Sequence, residues 1–500
     1  MRRLSIDVLA GATSSFIALL AAIAATPIYL RVLGAEAFGV LGFFFSLQAA
    51  LLVLDGGVAL LVTRLVAQRK DDPAGRATAN LVYGLARLSW YLAAAIIGLV
   101  ALSAGSLAQL WLNLDQLRPA YVAQALILAG VAIGARWPLG LYQGVLMGSQ
   151  KMVALSVINA AMVLLSTGGG IAFVAWFAAD LRVLFAWLAA TSLIQVLWCR
   201  SLAREALGAG HAPAAGEVFQ FYRVSAAAGW LGLVGLLLMQ LDKLVLSKVL
   251  PVGMFGYYVI AATTASGLYA LVTPIFNVLY PRFAILALEP EQVELRRVYR
   301  SSTLALATFV FPIAAVLAFF ADSILLLWTR DSAAAQAASP VLRLLALGTA
   351  LHGIMFVAFA LKLACGASKL ALAISLSLLA AFLPAIVLSS VLWGGVGAAG
   401  AWLVLNLTYL LAGSELTHRR LLPGLGHCWL TNDVIPPAVL ALSVAYAAAW
   451  WSRADGWSAG ERTALSAFLV VACWTFMVCT SSRLRHAVRA EWSRKTAGLQ

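Results

Sequence analysis

The nonapeptide RVLGAEAFG at residues 31–39 returns as KVLPVGMFG at residues 248–256, 217 positions later. Basic residues elsewhere repeat at nearly the same offset, and the matched pairs are Arg31 and Lys248, Arg64 and Arg282, and Lys151 and Lys369. Only 34 of the 500 residues are Lys or Arg, so chance does not readily explain three basic pairs on one offset. Self-similarity at a fixed period predicts a duplicated structural unit.

The composition is that of a polytopic membrane protein. The chain is 63% apolar and 11% charged, with a mean hydropathy of +0.94, whereas soluble domains have about 25% charged residues. A helix needs about 20 apolar residues to cross the hydrocarbon core. We count about fourteen such runs: 7–30, 38–62, 79–103, 121–147, 152–178, 183–200, 224–247, 254–280, 303–328, 341–361, 370–393, 396–416, 434–451 and 464–481.

The net charge of +14 reflects membrane orientation rather than nucleic-acid binding. With the N-terminus inside, 22 basic residues fall in cytoplasmic segments and 7 in the opposite loops. Basic residues concentrate on the cytoplasmic side of membrane proteins. Both termini are therefore predicted to be cytoplasmic, with the basic tail 483–500 lying on anionic lipid.

The repeat and a linker of small residues predict the domain organisation of this all-α integral membrane protein. Residues 1–205 form an N-lobe of helices 1–6, and 206–218 form a cytoplasmic linker rich in Ala and Gly. Residues 219–421 form a C-lobe of helices 7–12, and 422–482 add helices 13–14. Each lobe has an even number of spans, so the two repeats are parallel, with their pseudo-two-fold axis along the membrane normal. We expect a cavity between them.

Arg136 is the leading candidate for binding substrate. It lies near the middle of the fourth run, too deep for its side chain to reach the headgroups easily, and Trp137 and Pro138 follow it. A charge inside the membrane is costly, which favours a functional role. The structural alternative is an arginine that satisfies backbone carbonyls freed by a proline kink.

Four further basic residues complete the predicted anion site: Arg64, Arg282, Arg31 and Lys243. Several basic side chains around one cavity suit phosphate or pyrophosphate, because guanidinium pairs bidentately with phosphate oxygens. The alternative for Arg64, Arg282 and Arg31, which lie at helix ends, is that they extend to the lipid headgroups.

Two deep carboxylates, Asp55 and Asp242, are candidates for ion coupling, since either could bind or release a proton or Na⁺. The alternative is a structural ion pair or a helix-terminus contact. Neither the five cysteines nor the other side chains show metal-ligand spacing, and a phosphate-binding loop for ATP is absent. We therefore expect no cofactor and no metal, with transport driven by an H⁺ or Na⁺ gradient.

Ordered motifs in residues 1 to about 420 resemble a known family. The first is Pro27-x-Tyr29-Leu30-Arg31-x-Leu33-Gly34-x-Glu36-x-Phe38-Gly39, followed by Leu54-Asp55-x-Gly57 and Arg64. The others are Gln240-Leu241-Asp242-Lys243, Gly256-Tyr257-Tyr258, Tyr280-Pro281-Arg282, Gly366-x-x-Lys369 and Gly395-Val396-Gly397-Ala398-Ala399. This pattern is similar to that of bacterial polysaccharide-type flippases, which belong to the multidrug/oligosaccharidyl-lipid/polysaccharide exporter superfamily.

The resemblance implies two six-helix lobes in the bacterial inner membrane. It implies that the substrate is an undecaprenyl-pyrophosphate-linked oligosaccharide, such as an O-antigen repeat unit, which moves from the cytoplasmic to the periplasmic leaflet. Cavity arginines would hold the pyrophosphate while the lobes rock between two states. The partners would be membrane lipids and other polysaccharide-assembly proteins. No bond is made or broken, so the protein would not be an enzyme.

Two other functions stay open at the level of sequence. A multidrug exporter of the same superfamily would exchange organic cations for H⁺ or Na⁺, but its cavity should be dominated by carboxylates, and this chain has more deep bases than acids. A membrane polymerase or ligase of glycan assembly would need a larger external loop than the stretch from about 103 to 120.

Overall fold

The chain is all-helical, as the hydropathy pattern predicts. A computed structural model describes residues 2–52, 58–68, 76–176, 180–208, 232–235, 237–288 and 292–480. Within these ranges the backbone is helical apart from turns and one isolated bridge between Asn113 and Pro251. The molecule divides into two compact units, residues 1–256 and 257–500. The predicted lobe boundaries and the linker 206–218 stay a prediction, because most of the linker lies outside the described residues, as does the tail 483–500.

Besides the helical residues 232–235, the described part of the first unit contains nine α-helices and the start of a tenth. They are α1 (Arg2–Leu33), α2 (Ala35–Leu52), α3 (Val58–Gln68), α4 (Arg76–Ser106) with a π-helical end (Leu107–Trp111), α5 (Pro119–Arg136), α6 (Leu139–Gly148), α7 (Met152–Trp176), α8 (Leu181–Leu207), α9 (237–249) and the first turn of α10 (Val252–Ser266). Its core includes Val62, Leu85, Tyr142 and Cys199.

The second unit holds the remaining described helices. They are the rest of α10, α11 (Tyr269–Leu286), α12 (Val293–Phe319), α13 (Ala321–Thr329), α14 (Ser332–Ala364), α15 (Ser368–Thr408) with a π-helical turn (Tyr409–Gly413), α16 (Ser414–Leu421), α17 (Gly426–Trp429) with a π-helical turn (Leu430–Val434), α18 (Ile435–Ala454) and α19 (Ala459–Thr480). Phe283, Tyr299 and Trp429 are fully buried in its core.

Eleven helical stretches in the described part of the chain are long and apolar enough to cross a membrane. The longest, Ser368–Leu421, covers predicted spans eleven and twelve. It contains a reversal, because Gly394 has φ 59° and ψ −138°, and the rings of Phe382 and Trp402 lie 6.2 Å apart. A straight helix would separate these two residues by about 30 Å. The count of fourteen stays a prediction, because much of predicted span seven and the middle of span two lie outside the described residues.

The two copies of the repeated nonapeptide meet in the first unit, at the start of α2 and α10. A Cβ atom on Gly256 would stand 2.8 Å from the Ala35 carbonyl oxygen and 3.1 Å from the Gly39 nitrogen. A Cβ on Gly39 would overlap the carbonyl group of Val252. Small residues allow membrane helices to approach at backbone distance. This contact explains why both copies of the repeat end in glycine.

The loop between α4 and α5 forms hydrogen bonds with both copies of the nonapeptide. The Glu36 carboxylate accepts hydrogen bonds of 2.7, 2.9 and 3.1 Å from the backbone N–H groups of residues 115–117. The Asn113 side chain donates to the Lys248 carbonyl at 2.8 Å, and its own carbonyl accepts from the Val252 N–H at 3.0 Å. One loop is therefore tied to both copies of the nonapeptide.

The two C-terminal helices, α18 and α19, pack against α12 in the second unit and are joined to it and to α13 by ion pairs. Arg300 donates from Nε and Nη2 to the Asp433 carboxylate at 2.6 and 3.0 Å. Asp322 accepts from Arg462 at 2.9 Å and from Arg453 at 3.4 Å. The helices that the repeat leaves without a counterpart are thus integral to this unit.

We predict that an added methyl group at the glycine contact destabilises the protein. Gly39→Ala and Gly256→Ala should each lower the free energy of unfolding by about 1–3 kcal/mol, because the new Cβ meets backbone atoms that cannot rotate away. Thermal unfolding of the purified protein in detergent measures the effect. Gly253→Ala is the matched control, since its Cβ would come no closer than 3.9 Å to a neighbour. Equal melting temperatures for the three variants would contradict the contact.

We predict that removing Arg300 destabilises the protein more than neutralising its ion-pair partner Asp433. Arg300→Met should lower the free energy of unfolding by about 3–5 kcal/mol, because it leaves the carboxylate of Asp433, which is 0% exposed, without its arginine. Asp433→Asn should cost less, because the Arg300 side chain is 22% exposed. Melting temperatures rank the variants, with the exposed Arg297 as control in Arg297→Met. The reverse order would refute this account.

Candidate functional site

A cavity of about 320 Å³ lies within the first unit, where three helix faces converge. Arg136, the last residue of α5, lines the cavity, and the first two turns of α6 form part of its wall. From α7 and α8 the lining residues recur at the three- and four-residue spacing that marks one face of a helix. The lining residues are Arg136, Leu139, Gly140, Gln143, Asn159, Met162, Val163, Ser166, Thr191, Ser192 and Gln195.

The position of Arg136 follows from the residues after it. Helix α5 ends at Arg136, residues 137–138 form a turn, and α6 begins at Leu139. Pro138 has no N–H, so it cannot continue the hydrogen-bond ladder of α5. The guanidinium therefore stands at the carboxyl end of a helix, where the backbone dipole favours a positive charge. The break places this cation inside a span rather than at the membrane surface.

The Arg136 guanidinium has no protein partner among the residues that the structure describes. It is half-buried, it makes no hydrogen bond to a described carbonyl, and it has no described carboxylate beside it. It is the one charged side chain in the described lining of the cavity. An enclosed cation without a counter-ion is costly, so an anionic ligand at this place gains stability from it.

Three amide side chains form a cluster on another part of the cavity wall. The Asn159 Oδ1 atom accepts one hydrogen bond from Gln143 Nε2 at 3.2 Å and one from Gln195 Nε2 at 3.0 Å. Because one oxygen takes both donors, the Asn159 amide nitrogen and the two glutamine carbonyl oxygens are left for other partners. The cluster is neutral and offers both donors and acceptors.

The other predicted residues of the first unit do not line this cavity. Arg31, at the end of α1, and Arg64, in α3, are exposed. Lys243 in α9 donates to the Asp242 carboxylate at 3.3 Å and to the Met239 carbonyl at 3.1 Å. Asp242 is 5% exposed, so the two neighbours form a largely buried ion pair although they are adjacent in the helix. The predicted roles in pyrophosphate binding and ion coupling stay predictions.

The remaining predicted residues lie elsewhere. Arg282, in α11 of the second unit, is exposed. Asp55 lies outside the described residues. No group of three or more His, Cys, Asp or Glu side chains that could hold a metal ion occurs in the searched ranges.

The amide cluster is the part of the site that the sequence interpretation missed. Gln143, Asn159 and Gln195 lie in predicted spans four, five and six, one in each span. A side-chain amide is expensive to bury without a partner. Amides in three consecutive apolar spans are therefore a signal, but a search restricted to charged residues does not detect it.

Solved structures with similar folds are transporters. The lipid II flippase MurJ in an inward closed conformation matches with a TM-score of 0.70 and 10% sequence identity, over 94% of this chain and 97% of that chain. An inward-facing multidrug resistance MATE family transporter of the MOP superfamily matches with a TM-score of 0.62 and 15% sequence identity, over 84% of this chain and 97% of that chain. A mutant of the Vibrio cholerae MATE transporter VcmN matches with a TM-score of 0.59 and 17% sequence identity, over 84% of this chain and 98% of that chain. At these identities the likeness shows the fold alone.

Sequence comparison identifies the family. No curated protein matches the chain. The sequence model of the family described as polysaccharide biosynthesis protein matches residues 7–287, more than half of the chain. This range includes both copies of the nonapeptide and the whole cavity. The protein therefore belongs to the polysaccharide biosynthesis protein family, which confirms the resemblance drawn from its motifs.

Proposed function

We propose that the protein is a flippase for undecaprenyl-pyrophosphate-linked oligosaccharide repeat units, such as those of O-antigen. It carries them from the cytoplasmic to the periplasmic leaflet of the bacterial inner membrane, with both of its own termini cytoplasmic. The observation that supports this most is the Arg136 guanidinium, which has no described protein partner and faces a cavity whose other described lining residues are neutral. In a polysaccharide biosynthesis protein, an enclosed cation suits the pyrophosphate of a lipid-linked glycan.

Each part of such a substrate needs a different environment. The pyrophosphate needs a cation that presents two N–H groups to its oxygens, which the planar guanidinium of Arg136 does. The sugars need polar surroundings, and the polyprenyl tail stays in lipid. Exposed Arg31, Arg64 and Arg282 are second candidates for contacts with the phosphates, at the helix ends where the substrate enters or leaves.

The transport step in this proposal is alternating access without chemistry. The protein is a carrier rather than an enzyme, and movement between its inward and outward states exposes the bound headgroup to each side in turn. Asp55 and the Asp242–Lys243 pair are the candidates for coupling to an H⁺ or Na⁺ gradient. The partners are membrane lipids, the lipid-linked glycan and other polysaccharide-assembly proteins.

A multidrug cation antiporter is the second candidate, because MATE transporters share the fold. The cavity disfavours this function. Its described lining has a cation and no carboxylate, so an organic cation would meet repulsion where it needs a counter-ion. A glycan polymerase or ligase is disfavoured because the longest predicted external loop, from about 103 to 120, is short for a catalytic domain.

We predict that reconstituted protein accelerates leaflet exchange of its substrate. Vesicles are prepared with labelled undecaprenyl-pyrophosphate-linked oligosaccharides, and an impermeant glycosidase reports the fraction of sugar in the outer leaflet. Exchange should exceed that of protein-free vesicles. Efflux of cationic dyes, together with no exchange of any pyrophosphate-linked glycan, would overturn the proposal in favour of the antiporter.

Arg136→Gln is expected to reduce the exchange rate at subsaturating substrate by about tenfold to hundredfold. Hydrogen bonds to a charged group contribute about 1.5–3 kcal/mol, and each 1.4 kcal/mol is a factor of ten. Arg87→Gln is the matched control, because Arg87 lies in α4 of the same unit and is exposed. Unchanged exchange by folded Arg136→Gln protein would remove Arg136 from the substrate site.

A further inference from the structure

The three cavity amides have unused hydrogen-bonding capacity beside Arg136. Asn159 Oδ1 accepts from both Gln143 and Gln195, at 3.2 and 3.0 Å. If the cluster served only to join α6, α7 and α8, its polar atoms would be expected to satisfy one another. Instead the Asn159 amide nitrogen and both glutamine oxygens have no partner among the described residues. All three side chains line the cavity.

The free groups define the chemistry of a ligand. Two acceptor oxygens and one amide nitrogen match hydroxyl groups, which both donate and accept. Ser166 and Ser192 add hydroxyls to the cavity lining. Leu139, Met162 and Val163 add an apolar surface to it. A metal cation would be repelled by Arg136, and a second phosphate would find only neutral donors at the cluster. A sugar ring has hydroxyls for the amides and C–H groups for the apolar wall.

The size of the cavity accommodates a sugar ring. Its volume of about 320 Å³ is at the lower end of the range for small-molecule sites, about 300–1,000 Å³. Arg136 and the three amides line the same cavity, and no hydrogen bond joins the guanidinium to an amide among the described residues. The amides are therefore a group separate from the cation within one cavity.

We infer that Gln143, Asn159 and Gln195 form a subsite that recognises the sugar attached directly to the pyrophosphate, and that this subsite contributes to glycan selectivity. The inference rests on the proposed function. Arg136 holds the charged group common to all such lipids, whereas the amides distinguish one first sugar from another. Removing the amides should therefore abolish the preference for sugar-bearing lipids over the bare lipid.

Binding measurements with and without the first sugar test this subsite. The purified protein in nanodiscs is titrated with undecaprenyl pyrophosphate, and with the same lipid bearing either one hexose or one N-acetylhexosamine. Wild-type protein should bind at least one sugar-bearing lipid about tenfold more tightly than the bare lipid, as expected for two hydrogen bonds. Asn159→Leu should abolish this difference. Arg136→Gln should weaken binding of all three lipids.

The outcomes separate the subsite from the proposed function. If wild-type protein binds the bare lipid but no sugar-bearing lipid more tightly, or if Asn159→Leu retains the sugar-dependent gain, the subsite is refuted and the flippase proposal stands. If wild-type protein binds none of the three lipids, the flippase proposal itself fails. Asn406→Leu is the matched control for loss of a buried amide, because Asn406 lies in the second unit and its amide donates within its own helix to the Trp402 carbonyl at 2.8 Å. Thermal unfolding confirms that each variant is folded.

Discussion

Every polar group in a membrane span must find its partner within the protein, because hydrocarbon offers none. The backbone meets this requirement by forming helices, so the described chain is helical almost throughout. Several charged side chains follow the same rule. Asp433 is paired with Arg300, and Asp242 with Lys243. Against this background the Arg136 guanidinium, which has no partner among the described residues, is conspicuous, and the proposed ligand site is built on it.

The repeated residues form a helix contact, whereas two polar residues of the candidate site lie at positions that do not repeat. Gly39 and Gly256 occupy matching places in the two copies and meet at backbone distance, so the conserved part of the duplication is a helix contact. Arg136 and Gln143 have no polar counterpart at the repeat offset. The residues 218 positions later are Ile354 and Leu361, and both are 0% exposed in the core of the second unit. At these two positions the second unit therefore has apolar core residues where the predicted repeat would place counterparts of the polar cavity lining.

The sequence predicted the fold better than the site, and the reason is physical. Hydrophobic runs report burial in lipid directly, so helices and their order can be read from them, including the pair of spans that reverses at Gly394. Arg136 stands out in the sequence because a charge inside a span is exceptional, and it lies in the lining of the cavity; its role in binding stays a prediction. The amide cluster was missed because its meaning depends on three helices converging, which residue spacing alone does not reveal. Nor does the sequence show that Lys243 bends back to the adjacent Asp242.

The composition of the cavity suits a carrier better than a tight receptor. A site that moves its ligand must bind it and then release it, so its affinity has to be moderate. A lone arginine only partly neutralises a pyrophosphate, whereas several converging cations would hold it too firmly for turnover. In the proposed subsite, neutral amides would add recognition of a sugar without adding charge, and a water molecule can replace each of their hydrogen bonds when the ligand leaves. A division of the task between one cation and three amides would therefore allow selectivity without trapping the substrate.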